Sequence, residues 1–195
     1  MSDARERLLQ EVIGYVARHG VGDHSLRGLA GAVGTSHRML IYHFGTREGL
    51  LAEVVRVVDG QQRDTLTALT ATTDTDPRSA AWRFWSLVVG PALRYGPLFF
   101  ELSAHAMQDQ PHATPLRTSL VDPWLEPLTA LLTRAGHDPG TAATHARLGL
   151  AVARGLLHDL LLTGDRDAAD AAMAAWLDLV LEERPTPPRA SSPRR

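Results

Sequence analysis

Residues 34–44 read GTSHRMLIYHF and put His37, Arg38, Met39, Tyr42 and His43 on one short segment that holds no acid. A helix made only for packing needs the apolar residues, and a solvated one normally mixes both signs of charge. Donors of this kind, with neither acid nor counter-charge among them, suit a long anionic surface. Arginine grips guanine O6 and N7 with two hydrogen bonds, so Arg38 is the candidate for reading a base. Thr35, His37 and Met39 stand where they reach base edges or thymine methyls. Tyr42, His43 and Arg47 fit phosphate oxygens, which position a protein without reading sequence. Ser25 and Thr46 would cap helices whose first amides hold a phosphate, each hydroxyl adding a donor. Ser36 caps the donor-rich segment itself. A plainer reading competes: these hydroxyls cap helices in any helical protein, and His43 packs against Phe44.

Composition bounds the alternatives. The chain has 195 residues, 44% hydrophobic, with a formal net charge of −2. That average hides a local imbalance, because Arg27, Arg38 and Arg47 lie in a span, residues 25–47, that contains no Asp or Glu. A basic patch on a near-neutral chain is enough for a modest DNA footprint. Cysteine is absent, which excludes disulfides, thiolate nucleophiles and cysteine metal sites. No apolar run is long enough to span a bilayer. The opening MSDARERLLQ lacks the basic start and apolar core of a signal peptide, so a cytoplasmic protein is expected.

The elements that must position these residues are helical throughout. Apolar residues recur three and four apart, and no run alternates with period two. The expected helices are 3–19, one from the Ser25 cap to Val33, one from Ser36 to before Gly45, and a long one from Thr46 that fades in TATTDTDP. Further helices are expected over 77–94, 95–108, 116–135, 139–163 and from Asp165 to near Arg184. The fold class is therefore all-α with about nine helices. The proline-rich tail, residues 185–195, reads as disordered. Gly34 supplies the left-handed turn between the second and third helices. Leu26, Leu29, Ala30 and Val33 would face Leu40, Ile41 and Phe44 across that turn, which makes the pair a helix-turn-helix.

With that pairing in place, residues from about Arg7 to Val55 resemble the DNA-binding domain of TetR-type repressors. The matching residues are Ser25, Leu26, Arg27, Leu29 and Ala30, then Gly34, Thr35 and Ser36, then Leu40, His43 and Phe44, then Arg47, Glu48, Leu50 and Leu51. Two positions depart from the family pattern: Ile41 stands where a tyrosine is usual, with the tyrosine at Tyr42, and Arg38 stands where glycine is frequent. The resemblance implies a three-helix DNA-binding domain over 1–48 and a helical ligand-binding and dimerisation domain over 49–184. It also implies a homodimer on a near-palindromic operator of double-stranded DNA, a small-molecule effector, and repression as the default.

In the second half, aromatic residues gather at Trp82, Trp85, Phe99, Phe100 and Trp124, with His105 and His158 as polar neighbours. They are the expected walls of an effector pocket, against the alternative of a plain core. An apolar or aromatic ligand is expected, since no cluster of like charges lines these segments. The last two long helices carry small residues at close spacing. Ala146, Gly149, Leu150, Ala153 and Leu157, with Ala172, Ala175, Trp176 and Leu179, are the expected dimer face of a four-helix bundle. No HExxH, nucleophile elbow or phosphate loop is present, so no enzyme, cofactor or metal is expected. The rival function is a small-molecule-binding helical dimer without specific DNA binding.

Overall fold

The computed structural model describes residues 2–20, 25–71 and 76–181. The proposed disordered tail, the end of the last helix near Arg184 and the TTDT of the fading segment lie outside them. Among the described residues there are nine α-helices, one 3-10 turn and no strand. They are α1 (Ser2–His19), α2 (Leu26–Ala32), α3 (His37–Phe44), α4 (Arg47–Ala71), α5 (Pro77–Met107), α6 (Leu116–Ser119), α7 (Asp122–Arg134), α8 (Pro139–Thr163) and α9 (Arg166–Leu181), with the 3-10 turn at Pro111–Ala113. Among the described residues no helix is long and apolar enough to cross a membrane.

Nine matches the expected number through two differences that offset. The helices expected over 77–94 and 95–108 are one helix, α5, which runs through Pro91 and Pro97. An internal proline removes a hydrogen bond and costs about 3 kcal/mol or more in isolation. Packing along α5 offsets it: Arg94 donates to the carbonyl of Ala17 (2.8 Å), Tyr95 donates its hydroxyl to the carbonyl of Ile13 (2.9 Å), and Gly96 lies against Leu161 of α8. Conversely, the helix expected over 116–135 is broken at Leu120–Val121, because Pro123 near the start of α7 favours a new helix start.

One apolar cluster ties the small N-terminal helices to the body. It joins Leu9, Val12 and Val16 of α1, Leu29 of α2 and Leu40 of α3 to Leu51 and Val55 of α4 and to Leu98 and Leu102 of α5. The boundary drawn between residues 48 and 49 falls in the first turn of α4, so this helix belongs physically to both halves. Gly49 shows how close the approach is there. A Cβ at this position would stand 2.6 Å from the carbonyl oxygen of Phe44, which ends α3. Gly49→Ala is therefore expected to destabilise the chain by about 1–3 kcal/mol. That outweighs the roughly 1 kcal/mol that alanine otherwise gains in a helix. Urea denaturation of the variant checks it; a neutral or stabilising result would mean that Phe44 can move aside.

Candidate DNA-binding surface and effector cavity

The α2–α3 pair forms because its ends are capped and its turn is built from glycine. Ser25 accepts from the amide of Gly28 and Ser36 from that of Met39, both at 3.2 Å, while Thr46 accepts from Gly49 at 3.0 Å. Gly34 has φ +68°, and the amide of Thr35 returns to the carbonyl of Ala30 at 2.9 Å, closing α2 as a left-handed C-terminal motif. Leu26, Leu29, Ala30 and Leu40 are buried between the helices, with Val33 and Phe44 packed at their edge. Ile41 was expected among them but is 45% exposed. Leu40 is the buried residue of α3, and the next residue turns out to solvent.

The outer side of α3 therefore presents Arg38, Met39, Ile41 and Tyr42, with His37 half-buried at its start. Tyr42 is 64% exposed and stacks edge-on against His43 with ring centroids 4.9 Å apart. His43 turns partly inward: its Nε2 is buried without a hydrogen-bond partner, so that nitrogen does not face a phosphate. Arg27 and Ser25 are exposed on α2, Thr35 is half-buried in the turn, and Thr46 is exposed at the head of α4. Arg47 is half-buried, 4.0 Å from Glu48. Arg5 of α1 has a positioning part that sequence reading missed. Its guanidinium stacks over Phe44 at 5.0 Å, donates to the carbonyl of His43 at 3.4 Å and pairs with Glu53 of α4 at 3.2 Å. One side chain thus holds the end of α3 to α1 and α4.

The body contains a cavity of about 90 Å³ walled by α4, α5, α7 and α8. A second space of about 100 Å³ lies behind it among α5, α7, α8 and α9. The two share Phe84, Val88, Trp124, Leu150 and Ala153 as walls, so they are adjoining lobes. Phe84 and Trp124 stand between them with ring centroids 5.8 Å apart. A more open recess of about 330 Å³, with Gln61, Gln62 and Thr65 on its rim, adjoins the first lobe between α4 and α5.

Phe99, Phe100 and Trp124 line the outer lobe, and Trp85 and Trp124 line the inner one. Three other expected wall residues are displaced. Trp82 packs on the core cluster beside Trp85. His158 is exposed on α8 with its ring against the far side of Phe100 at 5.1 Å. His105 forms a hydrogen bond with His112 of the 3-10 turn, 3.1 Å between ring nitrogens. None of the three lines either lobe.

One buried and one half-buried charge, neither among the expected wall residues, face the outer lobe. Asp59 of α4 is 6% exposed and accepts from the indole N–H of Trp124 at 3.1 and 3.0 Å. Arg154 of α8 and Arg63 of α4 each approach it only to 3.9 Å. Burial dominates these contacts and pushes the Asp59 carboxyl up to about 6 from its ordinary 3.8, although Trp124 and both arginines pull it down. Burial likewise lowers the Arg154 guanidinium, with Asp59 opposing. Arg154 lies 5.2 Å over the ring of Phe99 and donates to the carbonyl of Leu120, which the break before α7 exposes. The signal was present: Asp59 follows Leu51 and Val55 on the buried stripe of α4, and Arg154 follows Ala146 and Leu150 on that of α8.

The expected dimer face needs the same correction. Ala146 and Leu150 are buried, while Gly149, Ala153, Leu157 and Trp176 line the cavity or pack on the core, so these six serve the protomer's interior. Ala172, Ala175 and Leu179 do face outward on α9, where Leu179 is 82% exposed. Their counterparts on α8 are Leu148, Ala151, Gly155 and Leu162, with Leu162 74% exposed.

Solved structures described as transcriptional regulators share this fold. A TetR transcriptional regulator from Legionella pneumophila aligns with a TM-score of 0.68 at 16% identity, over 93% of this chain and 99% of that one. A transcriptional regulator from Rhodococcus aligns at 0.70 and 21% identity, over 91% and 95%. The TetR-family repressor FadR of Thermus thermophilus, in complex with lauroyl-CoA, aligns at 0.67 and 14% identity, over 94% and 97%. No family profile and no curated protein matches the sequence. The chain has the fold of TetR-family regulators.

Proposed function

We propose that this chain is a TetR-family transcriptional regulator that binds a near-palindromic operator as a homodimer in the cytoplasm and is released by a small effector. The observation that carries the reading is the α2–α3 pair, whose outward face offers Arg38 and Tyr42 in a span without Asp or Glu. The outward stripe of α8 and α9 supplies a self-complementary face for two-fold pairing. Two recognition helices related by that axis enter successive major grooves roughly 34–36 Å apart. A cavity walled by apolar groups supports an effector with an apolar body. The reading is of a regulator, not an enzyme.

The coupling follows from α4. Its first turn abuts the end of α3, and Val55, Val58, Asp59 and Gln62 further along it line the outer lobe. An effector that displaces this wall moves α4 and alters the separation of the two recognition helices. DNA and effector then weaken each other's binding by the same factor.

Arg38→Ala tests the assignment. Losing a bidentate base contact is worth about 1–3 kcal/mol, so affinity for the operator falls roughly 5- to 150-fold while random duplex is bound as before. Arg47→Ala weakens all duplexes alike. Anisotropy titrations over fragments from around the chain's own gene report both. If neither variant alters operator binding, the rival takes over: a ligand-binding dimer without specific DNA recognition.

A further inference from the structure

The outer lobe combines an apolar wall with Asp59 and Arg154, while Arg63 approaches the same carboxylate from outside that wall, and neither arginine is hydrogen-bonded to it. A charge-assisted N–H···O bond spans about 2.7–2.9 Å. The 3.9 Å separations of Arg154 and Arg63 from Asp59 are longer, and the donor that meets Asp59 closely is the neutral indole of Trp124. Arg154 thus reaches the lobe with its charge incompletely matched and its plane held by Phe99. Counted together, Asp59, Arg63 and Arg154 leave a surplus of one positive charge. An incoming ammonium would add to that surplus, and a carboxylate would cancel it.

The inner lobe asks for the opposite chemistry. His145 is the single ionisable residue in its wall, among leucines, tryptophans and Met173. Each lobe, at about 90 or 100 Å³, is smaller than the roughly 150 Å³ cavity that holds a benzene ring. A broad polycycle fits neither lobe. A slender chain spans both once the Phe84 ring turns off Trp124, because at 5.8 Å between centroids the two rings are in contact and close the passage. The recess lined by Gln61, Gln62 and Thr65 shares Val58, Gln62, Val88 and Tyr95 with the polar lobe, so a chain entering tail first from that side would leave its head at the arginine.

We infer that the two lobes bind one slender amphiphile, a medium-length alkyl chain bearing a carboxylate, with the acid beside Arg154 and Asp59 and the tail in the inner lobe beyond Phe84 and Trp124. This rests on the reading of the cavity as the effector site. It names a chemical class for that effector and assigns Arg154 as the residue that selects it.

The test is isothermal titration calorimetry on the full chain without DNA, using decanoate, 1-decanol and decylamine as chain-matched probes below their micelle concentrations. Decanoate is expected to bind at least tenfold tighter than the alcohol or the amine. From hexanoate to decanoate, affinity should rise about fourfold per methylene buried. Arg154→Met should bring decanoate down to the alcohol's affinity, and Ala153→Met, which narrows the passage, should remove the gain with chain length. Circular dichroism reports whether the variants are folded; if Arg154→Met is not, the wild-type acid-to-alcohol ratio still decides. Equal affinities for acid and alcohol, a preference for the amine, or no saturable binding would overturn the inference. A chain that binds operator but none of the probes keeps the regulator reading and loses this one. A chain that binds decanoate but no operator does the reverse.

Discussion

Asp59→Asn is expected to stabilise the folded chain by about 3 kcal/mol at pH 7.5 and by almost nothing at pH 4. The buried carboxyl holds its proton up to about pH 6, against an ordinary 3.8. Below 3.8 it is protonated in both folded and unfolded chains, and its neutral form is tolerated. As pH rises through 3.8 the unfolded chain releases its proton first, and stability is lost progressively until the folded carboxyl ionises near 6. A difference of about two pH units corresponds to roughly 3 kcal/mol. The groups around it on each packed element oppose this shift without overcoming it: Arg63 on α4, Arg154 on α8 and the indole of Trp124 on α7. Asparagine keeps the shape and an acceptor for Trp124 while removing the charge. Urea denaturation of both proteins, at one fixed concentration and at pH 4, 5, 6 and 7.5, should show the curves separating between pH 4 and 6. A variant less stable than wild type at pH 7.5 would show instead that the arginines more than compensate the buried charge.

That expectation bears on function. A buried ion pair replaced by neutral groups is often neutral or stabilising. A charged residue that lowers stability and faces a cavity is what a binding site retains at the expense of the fold. Asp59 and Arg154 therefore fit a ligand-contacting part better than a structural one. The same two side chains join α4, which abuts α3, to α8, which carries part of the outward apolar stripe.

The α2–α3 pair was legible because each part has a local cause: caps at Ser25 and Ser36, a left-handed Gly34, and an apolar set spaced for one face. What was not legible depended on the neighbours. Pro91 and Pro97 signal a break in any isolated helix, and only packing against α1 and α8 keeps α5 whole. Small residues on α8 suit close approach of any helix, so their spacing did not distinguish a partner subunit from α7 and α9 of the same chain. Ala146 is buried among Leu132, Ala142 and Val180 for that reason. Asp59 and Arg154 are visible in the sequence as charges interrupting apolar stripes. Their meaning needed the distance between two helices 95 positions apart in sequence.

The outward stripe leads to the second large effect. The double variant Leu148→Glu/Leu179→Glu is expected to separate the dimer into folded monomers and to lower operator affinity on the order of 10²–10⁴-fold. Both leucines are exposed on the protomer, 47% and 82%, so substitutions there should leave its own stability nearly unchanged. Across a two-fold axis each glutamate meets the same stripe again, and burying unpaired carboxylates is strongly unfavourable. A monomer carries one recognition helix and grips one half-site, and the loss follows from the second half-site becoming a separate bimolecular event. Sedimentation velocity gives the mass, and anisotropy on the same samples gives the affinity. A variant that stays dimeric would move the interface off α8 and α9. One that becomes monomeric yet keeps wild-type affinity would break the link between two-fold symmetry and operator recognition on which the palindromic reading depends.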